Sequence, residues 1–396
     1  MRRIYFPVIL RNVEQDLAST FVALFALEAA ARALMITIVP LEAYRLLGSP
    51  LLVSLIYFAT SALGLVVSLF LPTLIHRITR RWALTLGGLL YVAAVGLYLL
   101  GTPATVIAGL AAQVAGVAIL EVVLNLYVLD HVPRRELNVF EPRRMVFTGS
   151  VFVICPWAGV FLQTHVMEGA TFMLVAVLAV TFLVFFWRVR LSANPALSPA
   201  KGLPPRPIRF IPRFFGQARL RLAWVLAVGR SSWWIMYFVY MPIQLKASGF
   251  SDAVTGALVS MGMVPLLFIQ VWARIGRVHG IRRLLMAAYA AAGAATLALA
   301  IACGWPPALV VLMLAAAFFA ILIDGAGNVP FLRAVHPYER EAMTSVYMTF
   351  RHAASLGTPG VFAVVLAVAP LPFVFATSAA VAFAMSGLSR FIPRKL

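Results

Sequence analysis

Twelve apolar runs fill most of this 396-residue chain, at approximately 17–41, 51–75, 82–101, 104–129, 143–165, 168–188, 222–245, 253–273, 284–303, 307–331, 342–369 and 371–389. At 1.5 Å of rise per residue, about 20 residues of helix cross a ~30 Å hydrocarbon layer. Soluble domains carry roughly a quarter charged residues. This chain carries 11%, with 63% hydrophobic. It reads as an all-α membrane protein with twelve transmembrane helices.

The net charge of +19 does not point to nucleic acid, because its placement follows the membrane. All but five of the 32 Lys and Arg lie in the termini and in the loops that share their side. Of the five, Arg32, Arg230 and Arg351 are intramembrane, and only Arg45 and Lys246 belong to the opposite side. Such an asymmetry places both termini in the cytoplasm, with the basic loops against anionic lipid. Asn12, Glu14, Gln15 and Asp16 follow the first arginines, so the first run is expected to stay as a helix rather than be cleaved as a signal. The expected setting is a bacterial inner membrane, as a monomer. Cys155 and Cys303 lack metal-ligand spacing and read as small packing residues.

Six runs fall in residues 1–190 and six in 222–396. Residues 191–221 hold Pro195, Pro199, Pro204, Pro205, Pro207 and Pro212 among basic residues, a composition suited to a cytoplasmic linker. The halves repeat. Glu121 and Asn125 recur 203 residues on as Asp324 and Asn328, and the same shift pairs Met145 with Met348, Phe147 with Phe350 and Pro156 with Pro359. The predicted architecture is two pseudo-symmetric six-helix bundles.

Twelve helices in two halves, both ends inside and a long central linker resemble the major facilitator superfamily. Its signature loop between the second and third helices, Gly-x-x-x-Asp-Arg-x-Gly-Arg-Arg, has a degenerate counterpart in His76-Arg77-Ile78-Thr79-Arg80-Arg81. The second copy, Arg277-Val278-His279-Gly280-Ile281-Arg282-Arg283, keeps the glycine. The resemblance implies gating loops at Arg77, Arg80, Arg81, Arg282 and Arg283. Cys155-Pro156-Trp157-Ala158-Gly159 in the fifth run looks like a worn Gly-Pro-x-x-Gly motif of proton-coupled exporters; a proline kink with a close helix contact is the alternative.

In this family the first, fourth, seventh and tenth helices line a central cavity. Here they carry Glu28 and Arg32, Glu121 and Asn125, Arg230 with Trp233 and Trp234, and Asp324 and Asn328; the eleventh adds Arg351 and His352. Residues four apart share a helical face. Glu28, Glu121, Arg230, Asp324 and Arg351 each lie about 13–16 Å from the basic end of their helix, near mid-membrane. Buried charge is costly there, so such residues mark substrate, ion or proton paths. Each has a structural alternative: Glu28 with Arg32 as an intrahelical pair, the asparagines as interhelical hydrogen bonds, the tryptophans as packing, His352 as a protein-facing polar group. Asp324 and Arg351 form a candidate fixed bridge, which leaves Glu121 without an obvious partner.

The expected function is secondary transport of a small organic solute by alternating access, with proton-coupled export ahead of proton-coupled import of an organic anion. Glu121 or Asp324 would exchange the proton, and Arg32 and Arg230 would engage the solute. The proton gradient is the presumed energy source, with no cofactor and no metal. A non-transporting scaffold that binds lipid, pigment or a partner protein is the reading of another class. Without a P-loop, His-x-x-Glu-His or Gly-x-Ser-x-Gly motif, an enzyme is not expected.

Overall fold

The computed structural model describes residues 17–131, 137–188, 210–336 and 339–393. Most of the 191–221 linker, and the mixed-charge turns expected around Arg134–Glu136 and Pro337–Tyr338, lie outside them.

The first six runs form α1 (Leu17–Leu47), α2 (Pro50–Leu99), α3 (Pro103–His131), α4 (Leu137–Phe161) and α5 (Ala170–Arg188). Runs two and three share α2, which breaks at Thr79 (φ 67°, ψ 159°). The second half begins with α6 (Ile211–Gly216) and α7 (Ala218–Ile235), which passes through a π-helical turn at Met236–Tyr240 into α8 (Met241–Ala247). Then follow α9 (Asp252–Met263), α10 (Ile269–His279), α11 (Ile281–Ile301), α12 (Pro306–Ala326), α13 (Val329–Ala334), α14 (Arg340–Tyr347), α15 (Phe350–Val368) and α16 (Pro372–Ser389).

Among the described residues, eleven helical spans are long and apolar enough to cross a membrane, and the protein is an integral membrane protein. The eighth run is the exception. A 3-10 stretch at Val264–Phe268 divides it into α9 and α10, because Pro265 brings no N–H to an α-helical ladder. The tenth and eleventh runs are also divided, at Gly327–Asn328 and at Met348–Thr349. Gly327 has φ 51° and ψ −130°, outside any helical region and natural only to glycine.

Helices α1–α5 pack on one another, as do α7 and α9–α16, giving two six-helix bundles. Large apolar side chains such as Leu69, Phe70, Val364 and Val368 remain exposed. On a membrane protein that surface is where lipid sits. The bundles meet along two seams, α2 against α15 and α4 against α9. The 203-residue repeat carries the first half of α2 to α9 and α4 to α15, so each seam is the pseudo-symmetric image of the other.

Lipid offers little hydrophobic drive between helices, so close backbone approach through small residues does much of the joining. At the seams Gly256 lies against Val160 and the Pro156 carbonyl, and Gly360 against Phe58. Ser54 and Tyr240 share a buried hydrogen bond of 2.7 Å, and Trp157 N–H donates to Ser260 Oγ at 2.8 Å. All of these lie toward the end away from the arginine loops, so that end is closed.

Candidate substrate site

A cavity of about 400 Å³ lies between the bundles, within the usual size range for small-molecule sites. Its wall is largely apolar and comes from α1, α2, α3, α7 with its π-turn, and α15. The charged groups on it are Arg32, Glu121 and Arg351, joined by His352, Gln113, Tyr57 and Trp234. The tenth run does not line it. Instead, α2 and α15 fill the places that the four-helix expectation left out.

Across this cavity Arg351 of α15 forms a salt bridge with Glu121 of α3, through the Nη1 and Oε1 atoms. Both side chains keep contact with the cavity, at 56% and 35% exposure. The expected Asp324–Arg351 bridge is therefore not the one formed, and Glu121 does have a partner. Register explains the difference: the break at Met348–Thr349 restarts the helix just before Arg351, and no periodicity rule fixes a side chain's direction across such a break.

Asp324 instead belongs to a network inside the second bundle. Arg230 Nε lies 3.4 Å from its Oδ1, and Trp234 Nε1 donates to its Oδ2 at 2.8 Å. Arg230 also donates to Asn328 Oδ1 at 3.3 Å, an atom that receives the Tyr347 hydroxyl at 3.2 Å. The helix break at Gly327 turns Asn328 toward α7 and α14. Phe350 sits between the two systems, its ring centroid 5.8 Å from the Arg230 guanidinium and 5.9 Å from that of Arg351. Such placements add cation–π attraction, about 0.5–2 kcal/mol in general.

The first bundle is less fully paired. Glu28 is only 7% exposed. Its Oε1 lies 3.5 Å from Arg32 Nε, but neither atom makes a hydrogen bond. Arg32 continues to the cavity, where its guanidinium lies 5.6 Å from the Phe152 ring centroid. Trp234 and Phe238 stack along the wall, and Phe152 of α4 packs behind Phe238. Asn125 turns back on its own helix and donates to the Glu121 carbonyl at 2.7 Å. Trp233 is buried, donates to Thr296 and packs edge-on against Trp234.

Of the ten pathway candidates, Arg32, Glu121, Trp234 and Arg351 thus line the cavity. Arg230, Asp324 and Asn328 stand behind Trp234, while Glu28 stands behind Arg32. Sequence reasoning missed Tyr347, Phe350, Gln113 and Tyr57. A tyrosine in an apolar run resembles ordinary packing, and only the Gly327 break signals that Tyr347 and Asn328 converge.

Arg77, Arg80 and Arg81 flank the break at Thr79, and Arg282 and Arg283 open α11 after Gly280 (φ 89°). None of the five lines the cavity. The residue at the family's second loop-glycine position is thus Thr79, which nevertheless adopts a glycine-like backbone.

The Cys155–Gly159 stretch is a junction. A Cβ on Gly159 would meet the Leu34 carbonyl oxygen at 2.3 Å, which ties α4 to α1. The Gly159 carbonyl accepts from the Thr171 hydroxyl, and Trp157 N–H crosses to Ser260.

The family model described as Major Facilitator Superfamily matches residues 20–359. The chain belongs to that superfamily. Solved structures agree on the fold. A D-xylose-proton symporter superposes with a TM-score of 0.71 at 15% identity, over 95% of this chain and 98% of the other. A POT family transporter in complex with 5-aminolevulinic acid gives 0.76 at 13%, over 93% and 94%. A nucleoside transporter gives 0.72 at 14%, over 94% and 99%. Among curated proteins no sequence match was found. This facilitator is thus a membrane transporter rather than an enzyme, and its fold is that of secondary transport.

Proposed function

We propose that this facilitator exports a small organic solute in exchange for protons, with the solute bound in the central cavity and Glu121 carrying the proton. The observation behind the reading is the Glu121–Arg351 salt bridge, which joins the two bundles inside that cavity. Alternating access requires the bundles to rock apart on one side and close on the other. Closure at the end away from the basic loops corresponds to an inward-facing state if those loops are cytoplasmic.

In that state Glu121 is ionised and held by Arg351. Solute entering from the cytoplasm adds to the cavity. After the bundles rock, solute leaves outward and a proton neutralises Glu121, which frees Arg351 and permits the return. Trp234 and Phe238 favour a flat or partly aromatic body, and Gln113 and Tyr57 offer hydrogen bonds to it. Asp324 is engaged by Arg230 and Trp234, so its role is to hold the second bundle's half of the site rather than to exchange protons. Arg230, behind Trp234, orients the site rather than touching solute.

A second reading has one observation in its favour. Two guanidiniums, from Arg32 and Arg351, face the cavity against the single carboxylate of Glu121. That excess suits an organic anion imported together with a proton. A non-transporting scaffold would call for a closed, internally paired polar layer, whereas a cavity of about 400 Å³ lies between the bundles and Glu28 lacks a hydrogen-bond partner on Oε1.

The test is a reconstituted proteoliposome with an internal pH dye, screened with pools of small organic compounds under imposed pH gradients of both signs. Export requires solute to move against the direction of proton flow, and import requires both to move together. Solute movement indifferent to the gradient and to Glu121→Gln would remove proton coupling.

A further inference from the structure

A second cavity, of about 270 Å³, lies within the second bundle and apart from the central one. Its floor is α7, and its mouth lies between α15 and α16, each of which packs more on α7 than on the other. Val361 and Val381 at the rim are exposed, so the opening faces the bilayer side of the bundle.

No charged side chain lines it among the described residues. Yet it is not purely apolar. Thr358, 6% exposed, is one of its wall residues, and the buried Thr358 hydroxyl has no hydrogen-bond partner. A helical threonine can bond its hydroxyl to a carbonyl one turn back, as Thr60 does to Ile56. Thr358 does not, and a buried polar group left unmatched is unfavourable until something supplies a partner. Thr358 lies eight residues into α15, about 12 Å from the start of that helix. The ester groups of a phospholipid stay at the interface, so its acyl chain offers nothing to that hydroxyl at this depth. The volume is less than twice the ~150 Å³ of an apolar cavity that takes up benzene.

We infer that this cavity is a second ligand site, entered from the bilayer, for a compact uncharged lipophile of one or two rings bearing one hydrogen-bonding group. It is also connected to the transport site. Trp233 lies on its wall and packs edge-on, centroids 5.1 Å apart, against Trp234, which lines the central cavity and donates to Asp324. An occupant therefore bears on Trp234 without entering the central cavity.

The experiment measures equilibrium binding of 1-naphthol to the full-length protein in phosphatidylcholine nanodiscs, against protein-free discs. Saturable uptake of one equivalent is expected. Thr358→Val removes the hydroxyl at constant shape and weakens binding about fivefold. Gly357→Leu abolishes it by filling the wall, where an added Cβ meets nothing within 4 Å. Val361→Trp at the rim gives an independent block. Arg351→Gln leaves binding unchanged. Uptake equal to that of empty discs overturns the inference. So does saturable binding indifferent to Thr358→Val and Gly357→Leu, or binding lost with Arg351→Gln, which would locate the probe in the central cavity.

Discussion

Glu121 on α3 and Arg351 on α15 form a salt bridge that crosses from one six-helix bundle to the other, and both side chains remain in contact with the central cavity. Asp324 and Arg230 form a second ion pair inside one bundle, at 23% and 15% exposure. The two pairs respond differently to neutralisation. Cavity exposure screens the first, so Glu121→Gln costs at most about 1 kcal/mol of stability. Removing one partner of the second leaves a poorly solvated charge, and Asp324→Ala costs about 3–5 kcal/mol. Thermal unfolding of the purified variants checks this; equal losses would contradict the division between a working pair and a supporting one.

The network behind Trp234 has a finer test. Asn328 Oδ1 accepts from both Arg230 and Tyr347. Tyr347→Phe removes one neutral donor, a loss of about 1 kcal/mol. Asn328→Ala deprives both donors and costs more. A double variant that loses no more than Asn328→Ala alone, within a few tenths of a kcal/mol, is expected because the two residues share the interaction.

Thr79 has φ 67° and ψ 159°, a region that is essentially glycine's alone and costs other residues about 1–3 kcal/mol. The second loop makes its own turn two positions earlier in the repeat, at Gly280, where φ is 89°. Thr79→Gly therefore stabilises the protein by about 1 kcal/mol, less the added freedom glycine gives the unfolded chain. A lowered melting temperature would show that the loop relaxes without strain.

The closed end depends on the Ser54–Tyr240 and Trp157–Ser260 hydrogen bonds. Tyr240→Phe together with Ser260→Ala weakens this closure without altering the cavity's charges. The expected result is a shift of population toward the opposite-facing state, read as longer spin-label distances between the ends of α2 and α15 remote from the arginine loops by pulsed electron paramagnetic resonance. Unchanged distances would mean that close packing at Gly256 and Gly360 alone holds the end shut.

Much of the architecture was legible in the sequence because the bilayer enforces it. Run length and the 203-residue repeat are read without knowing any side-chain direction. Pro265 marks the division of the eighth run, but apolar length alone does not distinguish a continuous helix from a divided one. Pairing was less legible. Depth placed Glu121, Asp324, Arg230 and Arg351 in one layer, but depth says nothing of azimuth, and the breaks at Gly327 and Met348–Thr349 reset the helical phase beside Asn328 and Arg351. Depth alone therefore pairs Arg351 with Asp324 on the adjacent run rather than with Glu121 across the cavity. The Pro156–Gly159 stretch carried a hint of direction as a motif; its contacts with Leu34, Thr171 and Ser260 account for it as a junction.

The central claim is that Glu121 exchanges a proton as it parts from Arg351. Once a transported solute is in hand, proteoliposomes containing wild type or Glu121→Gln can be compared in two assays, pH-gradient-driven net transport and exchange of labelled for unlabelled solute at equal pH. Glutamine imitates a carboxyl that never releases its proton. The account predicts that Glu121→Gln loses gradient-driven transport and exchange alike, because the solute-loaded step runs with Glu121 ionised. Gradient-driven transport that survives undiminished in Glu121→Gln would contradict it.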